Sequence, residues 1–332
     1  MQDLARFGRD SRIAIFYEHP EWFVPLFAEL DRRSVAYDRL LAHHHQFDPA
    51  DRRTPYALLI NRMSPSAYLR GHAQAIFYTL HYLAFLKEIG ADVLNGYDAY
   101  VYEFSKARQL GLLHRLGLQY PRARVINDPS QAPAAAEGLT FPVIVKPNIG
   151  GSGAKIVPFE TSNELREAVA CGRLDLGIDQ TALVQEYLPA EGSSIVRIEI
   201  LGGEYLYAIR LRLTGGEFNL CPADYCRMPT PSPQGTRLQD GVSGRQVPVE
   251  AYTPPTPVVE AVKRITAAAH IEVGGVEYLI NARDGQVYFY DINALSNFVA
   301  DAPNVVGFDP FPKLVDYILA RAGLMEPVGA PW

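Results

Sequence analysis

An aspartate and an asparagine, Asp291 and Asn293, close a segment that alternates like a strand, Gln286 to Ile292. Side chains two residues apart on a strand point to the same face, so the carboxylate and the amide oxygen project together. Both are hard oxygen ligands of the kind that Mg²⁺ binds, and Mg²⁺ takes its remaining ligands from water and phosphates. The pair indicates a nucleotide site, although for these two residues alone the ordinary start of a loop is the better interpretation.

The segment before these residues shifts the interpretation from an ordinary loop towards a metal site. Residues 275–281 also have strand character, and residues 283–285 (Arg-Asp-Gly) carry turn chemistry between the two segments. If these three residues form the hairpin loop, Glu277 lies directly opposite Asp291 on the same face. A two-residue Asp-Gly loop would place Glu277 on the wrong face, because a slip of one residue inverts every side chain. The three-residue loop predicts a metal site formed by Glu277, Asp291 and Asn293.

Length and composition set the broad class of the chain. Its 332 residues are enough for two or three subdomains around a large core. The net charge of −6 provides no basic field for nucleic acid, and no apolar run is long enough to span a bilayer. The first residues lack the apolar segment of a signal peptide, and three cysteines do not make a disulfide framework. We therefore expect a cytoplasmic enzyme with no nucleic acid or membrane partner.

Strands and helices alternate in the first hundred residues, which favours an α/β layer. A second unit begins near Ser105 with a helix over Lys106–Leu116. Further strands are predicted over residues 141–147, 154–159, 183–187, 195–201 and 205–213, and helices over 161–171 and 257–270. Residues 228–257 predict a long surface loop with some strand near 246–251. The segment around Cys221 and Cys226 matches no site that we can assign, and we expect packing or loop contacts there rather than a metal pair.

A glycine-rich loop and two lysines suggest phosphate binding. The loop Gly150–Gly153 leaves backbone amides free to face an anion, which makes Gly151, Ser152 and Gly153 candidates. A P-loop or a dinucleotide fingerprint would need a helix after the glycines, whereas a strand-like segment follows here. Lys146 ends the preceding strand, and Lys106 begins a helix. The alternatives are a plain glycine hairpin and two solvated lysines.

The strand that ends at Tyr187 predicts an adenine slot. A strand running into a Tyr-Leu-Pro connector offers apolar walls and backbone polar groups, so Glu186, Tyr187 and Leu188 are candidates. Glu191 could accept hydrogen bonds from ribose hydroxyls, or it could be an exposed loop acid.

Three arginines lie on predicted strands of the same region. Guanidinium groups bind carboxylates and phosphates through two parallel hydrogen bonds, so at least one of Arg197, Arg210 and Arg212 is expected to be functional. Surface ion pairing is the alternative for each of them.

In order and spacing, these motifs resemble the ATP-grasp superfamily, in the branch of glutathione synthetase and the ribosomal-protein glutamate ligase. The resemblance covers roughly Ser105 to Ile318. It implies an α/β (α+β) protein with a pre-ATP-grasp domain at 1–104, a central subdomain with the glycine-rich loop at 105–182 and a carboxyl-terminal subdomain with the metal site at 183–332. Departures are Ile195 where an acid is usual before Arg197, Asp291 where Glu is usual, and the sequence after Asn293.

The resemblance also implies roles for the candidate residues. Lys106 and Lys146 would contact ATP phosphates, and Arg197 would contact a substrate or an acyl phosphate, with Arg210 a weaker match in a similar role. Glu186, Tyr187 and Leu188 would contact adenine. Glu277, Asp291 and Asn293 would hold Mg²⁺, with Mn²⁺ as an alternative.

The reaction implied is ligation of a small-molecule carboxylate to an amine through an acyl phosphate, with release of ADP and phosphate. One partner is expected to be an amino acid or a peptide, and Arg62 or Arg197 would hold a carboxylate. By analogy the resemblance also admits a homodimer. The alternatives are a kinase of the same superfamily and a nucleotide-binding regulatory module without turnover.

Overall fold

A computed structural model describes residues 12–151, 153–213 and 248–325. Within these ranges the chain forms three sheets in sequence order. Expectations about Ser152, about Cys221 and Cys226, and about most of the loop 228–257 lie outside the described residues. None of the described helices combines the length and the apolar character needed to cross a membrane.

The first sheet is entirely parallel, with strand order β2-β1-β3-β4. Its central strands β1 and β3 are buried on both faces, and they are apolar except for Asn61 and Arg62 at the end of β3. The sequence did not predict β2, because its polar residues hide the alternation. The elements are β1 (Ile13–Tyr17), α1 (Val24–Arg32), β2 (Tyr37–Leu41), β3 (Leu58–Arg62), a 3₁₀ helix (Pro65–Arg70), α2 (Ala73–Glu88), β4 (Val93–Leu94) and α3 (Tyr97–Glu103).

The second sheet is antiparallel, with order β5-β8-β6-β7. Its elements are β5 (Ala123–Ile126), α5 (Ala132–Ala135), β6 (Val143–Pro147), β7 (Val157–Phe159), α6 (Ser162–Ala170) and β8 (Ala182–Glu186), and α4 (Lys106–Arg115) precedes them. Since β8 completes this sheet, the sheet ends at Glu186 rather than at the predicted boundary of 182.

The third sheet is also antiparallel, with order β11-β10-β9-β12-β13. The α4 helix packs on this sheet, since Leu112 and Leu113 join its core. The elements are β9 (Ser194–Leu201), β10 (Glu204–Arg212), β11 (Val249–Ala251), α7 (Thr256–Ala268), β12 (Val273–Ile280), β13 (Val287–Asn293), α8 (Ala302–Val306) and α9 (Pro310–Arg321). The chain returns to the first unit through α9, where Asp316 pairs with Arg33 beyond the end of α1.

The hairpin of β12 and β13 has the predicted pairing at Glu277, but its loop is longer than predicted and β13 contains a bulge. Glu277 is the partner of Asp291, which confirms the predicted register at the site. The predicted three-residue loop is wrong, because Asn281 N donates to Gln286 O (2.9 Å) and leaves the four residues 282–285 in the loop. A bulge at Tyr290 adds one residue to β13 and restores the pairing of Glu277.

Candidate active site

A cavity of about 390 Å³ lies where the three sheets meet, and all three units contribute to its walls. The apolar part includes Ile144, Leu188 and Leu279, while charged groups gather on one face of β9, β12 and β13. Most of the predicted site residues line this cavity: Lys106, Lys146, Gly151, Gly153, Glu186, Tyr187, Leu188, Arg197, Glu277, Asp291 and Asn293.

Two rows of side chains run across β9, β12 and β13. Register places Arg197, Glu277 and Asp291 side by side in one row, and the next row along consists of Glu199, Gly275 and Asn293. Gly275 is required because a Cβ at that position would lie 2.7 Å from Arg197 Nε. The glycine thus leaves the space that the Arg197 guanidinium fills.

The charges of this cluster are paired with one another. Lys106 Nζ bonds the Asp291 carboxylate. Arg197 Nε donates to Glu199 Oε1 (2.6 Å), and its NH1 nitrogen donates to Glu277 Oε1 (3.1 Å). Burial would raise the pKa of Asp291, but the charge and hydrogen bond of Lys106 bring it below its ordinary value. Burial and the neighbouring Asp291 raise the pKa of Glu277.

The second lysine, Lys146, is buried, and no acid of the described residues is bonded to it. Burial, reinforced by the charge of Lys106, lowers the pKa of Lys146 to about 7. An anion delivered into the cavity would restore the charged form of Lys146, because an opposite charge nearby favours ionisation.

The donor set at the end of the hairpin fits a hard divalent cation. Glu277 and Asp291 face each other, and burial together with the nearby Asp291 carboxylate raises the pKa of Glu277. Asn293 adds an amide oxygen, Oδ1, to the set. A carboxylate–amide set of this kind suits Mg²⁺.

The glycine loop packs against the first unit. A Cβ at Gly151 would lie 2.6 Å from Ser66 Cβ, so only glycine allows this approach. The residue after Pro147 ties the loop to α4: Ser105 Oγ (3.1 Å) and Ala107 N (3.0 Å) both donate to Asn148 Oδ1. The two lysine-bearing elements are therefore joined directly.

Residues 186–188, the connector predicted to contact adenine, lie along the apolar wall. Leu188 is buried, and the Tyr187 amide donates to Pro142 O (2.9 Å). The Glu186 carboxylate accepts hydrogen bonds from Thr140 N (2.8 Å) and Arg122 (3.4 Å), so it is engaged within the protein.

Arg210 does not belong to the cavity, which corrects the expectation. Ile209 is the register partner of Arg197, so Arg210 points to the opposite face of the sheet. There it pairs with Glu250 (3.6 Å) and stacks over Tyr252 (4.0 Å), and Arg212 contacts the same Glu250.

Two further expectations are not met. Glu191 is exposed in a 3₁₀ turn and does not line the cavity, so its position favours the loop-acid alternative over a ribose contact. Arg62 is buried beside the cavity and bonds the carbonyl of Ser296, without lining the cavity itself.

Sequence reasoning missed Glu103 of α3 and Gln109 of α4, which bind the end of β13, the strand that carries the predicted ligands Asp291 and Asn293. Gln109 Nε2 donates to Ile292 O (2.7 Å), and Ile292 N donates to Gln109 Oε1 (3.2 Å). The Glu103 carboxylate accepts hydrogen bonds from the amides of Ala294 and Leu295, and burial raises its pKa to about 7. The available signal was spacing, and only for Gln109, since it follows Lys106 by three residues on one face of α4, whereas Glu103 ends the preceding helix α3.

Comparison with known proteins agrees with this geometry. A family model described as a RimK-like ATP-grasp domain matches residues 104–221. This stretch of the chain is therefore similar to a RimK-like ATP-grasp domain. The matched stretch contains α4, the second sheet and the strands β9 and β10.

Curated relatives are similar at low identity. A probable alpha-L-glutamate ligase 2 of Shewanella denitrificans is 25% identical over 192 residues, covering 54% of this chain and 62% of that protein. A probable alpha-L-glutamate ligase of Pseudomonas fluorescens is 26% identical over 147 residues, covering 44% of this chain and 48% of that protein. The chain therefore matches between about half and two thirds of these relatives' length. A Serratia proteamaculans ligase of the same description is 25% identical over 79% of this chain and 83% of its own.

Solved structures share the ATP-grasp fold. D-cycloserine synthetase DcsG has a TM-score of 0.65 at 15% identity, covering 94% of this chain and 99% of that one. The ATP-grasp ligase PsnB, complexed with a phosphomimetic variant of its minimal precursor, Mg and ADP, has a TM-score of 0.63 at 16% identity, with 94% and 99% coverage.

Proposed function

We propose that this protein is an ATP-dependent carboxylate–amine ligase. The observation that carries the proposal is the cavity wall on which Lys106, Lys146 and Arg197 stand beside the oxygen ligands Asp291 and Glu277. Cations around a metal-ligand set are what a transferring phosphoryl group requires. Among its described side chains the wall has no hydrogen-bonded nucleophile–base pair, which suits a reaction in which the protein supplies position and charge.

In the proposed reaction the γ-phosphate of ATP passes to a substrate carboxylate and gives an acyl phosphate and ADP. The amine then attacks the acyl carbon, so that the C–N bond forms as the C–O bond to phosphate breaks. The proton lost by the amine leaves with hydrogen phosphate. A magnesium ion held by Glu277, Asp291 and Asn293 would neutralise charge on the transferring phosphate, and Mn²⁺ accepts the same oxygen ligands.

The side chains divide these tasks by position. Lys106 and Lys146 bind and orient the phosphates, and Lys146 gains its charge when they arrive because its pKa lies at about 7. Arg197 faces the acyl phosphate from the β9 end of the row. The apolar wall along Ile144, Leu188 and Leu279 accommodates adenine.

The comparisons support an amino acid or a peptide as one substrate. The curated relatives are described as glutamate ligases, and the PsnB structures contain a precursor peptide. L-Glutamate is therefore the first carboxylate to test.

The test measures ADP released from ATP and Mg²⁺ in the presence of pooled amino acids and small carboxylic acids, with mass spectrometry of the products. A ligase yields a product lighter than its two parts by one water, together with free phosphate. A phosphorylated product without free phosphate would instead identify a kinase. ATP binding without ADP release across the pools would favour a regulatory module.

A further inference from the structure

Four of the side chains that line the cavity have a buried oxygen without a hydrogen-bond partner in the described part of the chain. Two of them, Gln185 Oε1 and Tyr290 Oη, lie on β8 and β13, and the other two lie on β9 and in the segment after Asn293. The latter two are Glu199 Oε2 and Asn297 Oδ1. Glu199 is 1% exposed, and its other oxygen, Oε1, accepts the hydrogen bond of Arg197 Nε. Both of these atoms, Glu199 Oε2 and Asn297 Oδ1, are acceptors, so the ligand that satisfies them must be a donor.

Their position relates them to the reacting centre. Glu199 follows Arg197 by two residues on β9 and faces the same side, about 7 Å further along the strand. Asn297 lies in the segment that follows the metal ligand Asn293. Arg62 connects the two, since it bonds the carbonyl of Ser296 and its charge acts on Glu199.

The charges around Glu199 further limit the chemical class of the ligand. An ionised phosphate or carboxylate offers only acceptors, so it cannot satisfy the two oxygens, whatever offsets the negative charge of Glu199. Arg62 and Arg197 already offset that charge, so no additional cation is needed. A neutral primary amine fits, because it has two N–H bonds for the two acceptors and one lone pair left over for attack.

We propose that Glu199 and Asn297 form the subsite that holds the attacking amine of the acceptor substrate. The two N–H bonds of a primary amine point to Glu199 Oε2 and Asn297 Oδ1, and the lone pair points to the acyl carbon near Arg197. The inference rests on the proposed ligase function and adds to it the class of nucleophile and the residues that select it.

The substitution Glu199→Gln tests this geometry. The glutamine oxygen can still accept the hydrogen bond of Arg197 Nε, while its NH₂ group replaces the free acceptor with a donor. The matched control is Glu250→Gln, which changes a carboxylate on the opposite face of the sheet, beside Arg210. Both variants are first checked for thermal stabilisation by ATP and Mg²⁺, to establish that the fold and the nucleotide site persist.

Each variant is then incubated with ATP, Mg²⁺ and the common amino acids, with and without an excess of hydroxylamine. Hydroxylamine attacks acyl phosphates directly from solution and gives hydroxamates, whereas amide formation needs the amine subsite. We expect the ratio of amide to hydroxamate to fall about tenfold or more in Glu199→Gln, the usual effect of losing a hydrogen bond to a charged group. The ratio in Glu250→Gln should equal that of the unmodified protein.

The outcomes separate this inference from the function on which it rests. Hydroxamate formation with an unchanged ratio in Glu199→Gln would overturn the amine subsite and leave the ligase intact. No hydroxamate from the unmodified protein, despite ATP binding, would overturn the proposed ligase reaction and the subsite with it.

Discussion

Replacing Gln109 by leucine should disturb the geometry of the proposed metal site while its three ligands stay in place. The Gln109 amide holds both backbone groups of Ile292, the residue between the ligands Asp291 and Asn293. Because β13 is an edge strand, no neighbouring strand can take over these hydrogen bonds. Leucine has a similar volume and leaves the N–H and C=O groups of Ile292 unpaired.

The size of the effect follows from those two backbone groups. Gln109 is 1% exposed, so water does not replace it without rearrangement. Each buried polar group left without a partner costs about 1–3 kcal/mol, so we expect the free energy of unfolding to fall by about 2–4 kcal/mol. Loss of a group that orients metal ligands commonly weakens metal binding or activity about 10- to 100-fold. The Mg²⁺ concentration for half-maximal ADP release should rise by that factor.

The control is Leu112→Ala, in the same helix and equally buried. Its cavity should cost about 2–5 kcal/mol of stability, but the apolar side chain of Leu112 forms no hydrogen bond to the backbone of β13, so the Mg²⁺ requirement should not change. The assay is ADP release as a function of Mg²⁺ concentration, with chemical denaturation of both variants. Equal Mg²⁺ requirements in the two variants would refute the positioning role of Gln109.

Three further changes probe other parts of the account. Asp291→Ala should abolish Mg²⁺-dependent ADP release while circular dichroism shows a folded chain, and unchanged turnover would exclude the metal assignment. Gly275→Ala should lower turnover about a hundredfold, because its Cβ would displace the Arg197 guanidinium (2.7 Å), whereas normal turnover would show that the position of Arg197 is unimportant. The hydrogen bond of Arg32, opposed by burial and reinforced by Arg33, lowers the pKa of Glu29 from 4.5 to about 2. Its stabilisation is therefore present above pH 4.5 and lost as the pH falls towards 2. Glu29→Gln should cost about 1–2 kcal/mol at pH 7 and little at pH 2, and denaturation curves with a pH-independent difference would contradict this.

Local pattern was enough to predict the metal hairpin. Alternation and turn chemistry identified both strands, and the pairing of Glu277 with Asp291 is observed. The loop length was wrong, because the bulge at Tyr290 offsets a longer loop and neither feature has a clear signal in the sequence. Alternation alone did not separate Arg197 from Arg210. The face on which Arg210 lies depends on the register of β9 and β10, and the structure provides that register.

Long-range packing accounts for what the sequence could not reveal. The helix α4 begins the second unit in sequence but packs on the third sheet, and this alone brings Gln109 to Ile292. The two free acceptors Glu199 and Asn297 are nearly a hundred residues apart and share a wall only in the fold. Glu191 follows the adenine connector in sequence, yet the turn that carries it directs it to solvent.

Transfer of carboxylate oxygen to phosphate tests the central claim most directly. The protein is incubated with ATP, Mg²⁺ and pooled amino acids whose carboxylates carry ¹⁸O, and the released phosphate is analysed by mass spectrometry. An acyl-phosphate ligase breaks the C–O bond of the activated carboxylate, so the released phosphate should carry one ¹⁸O atom for each ADP formed. ADP release with phosphate that contains no ¹⁸O would contradict the acyl phosphate and the proposed ligase.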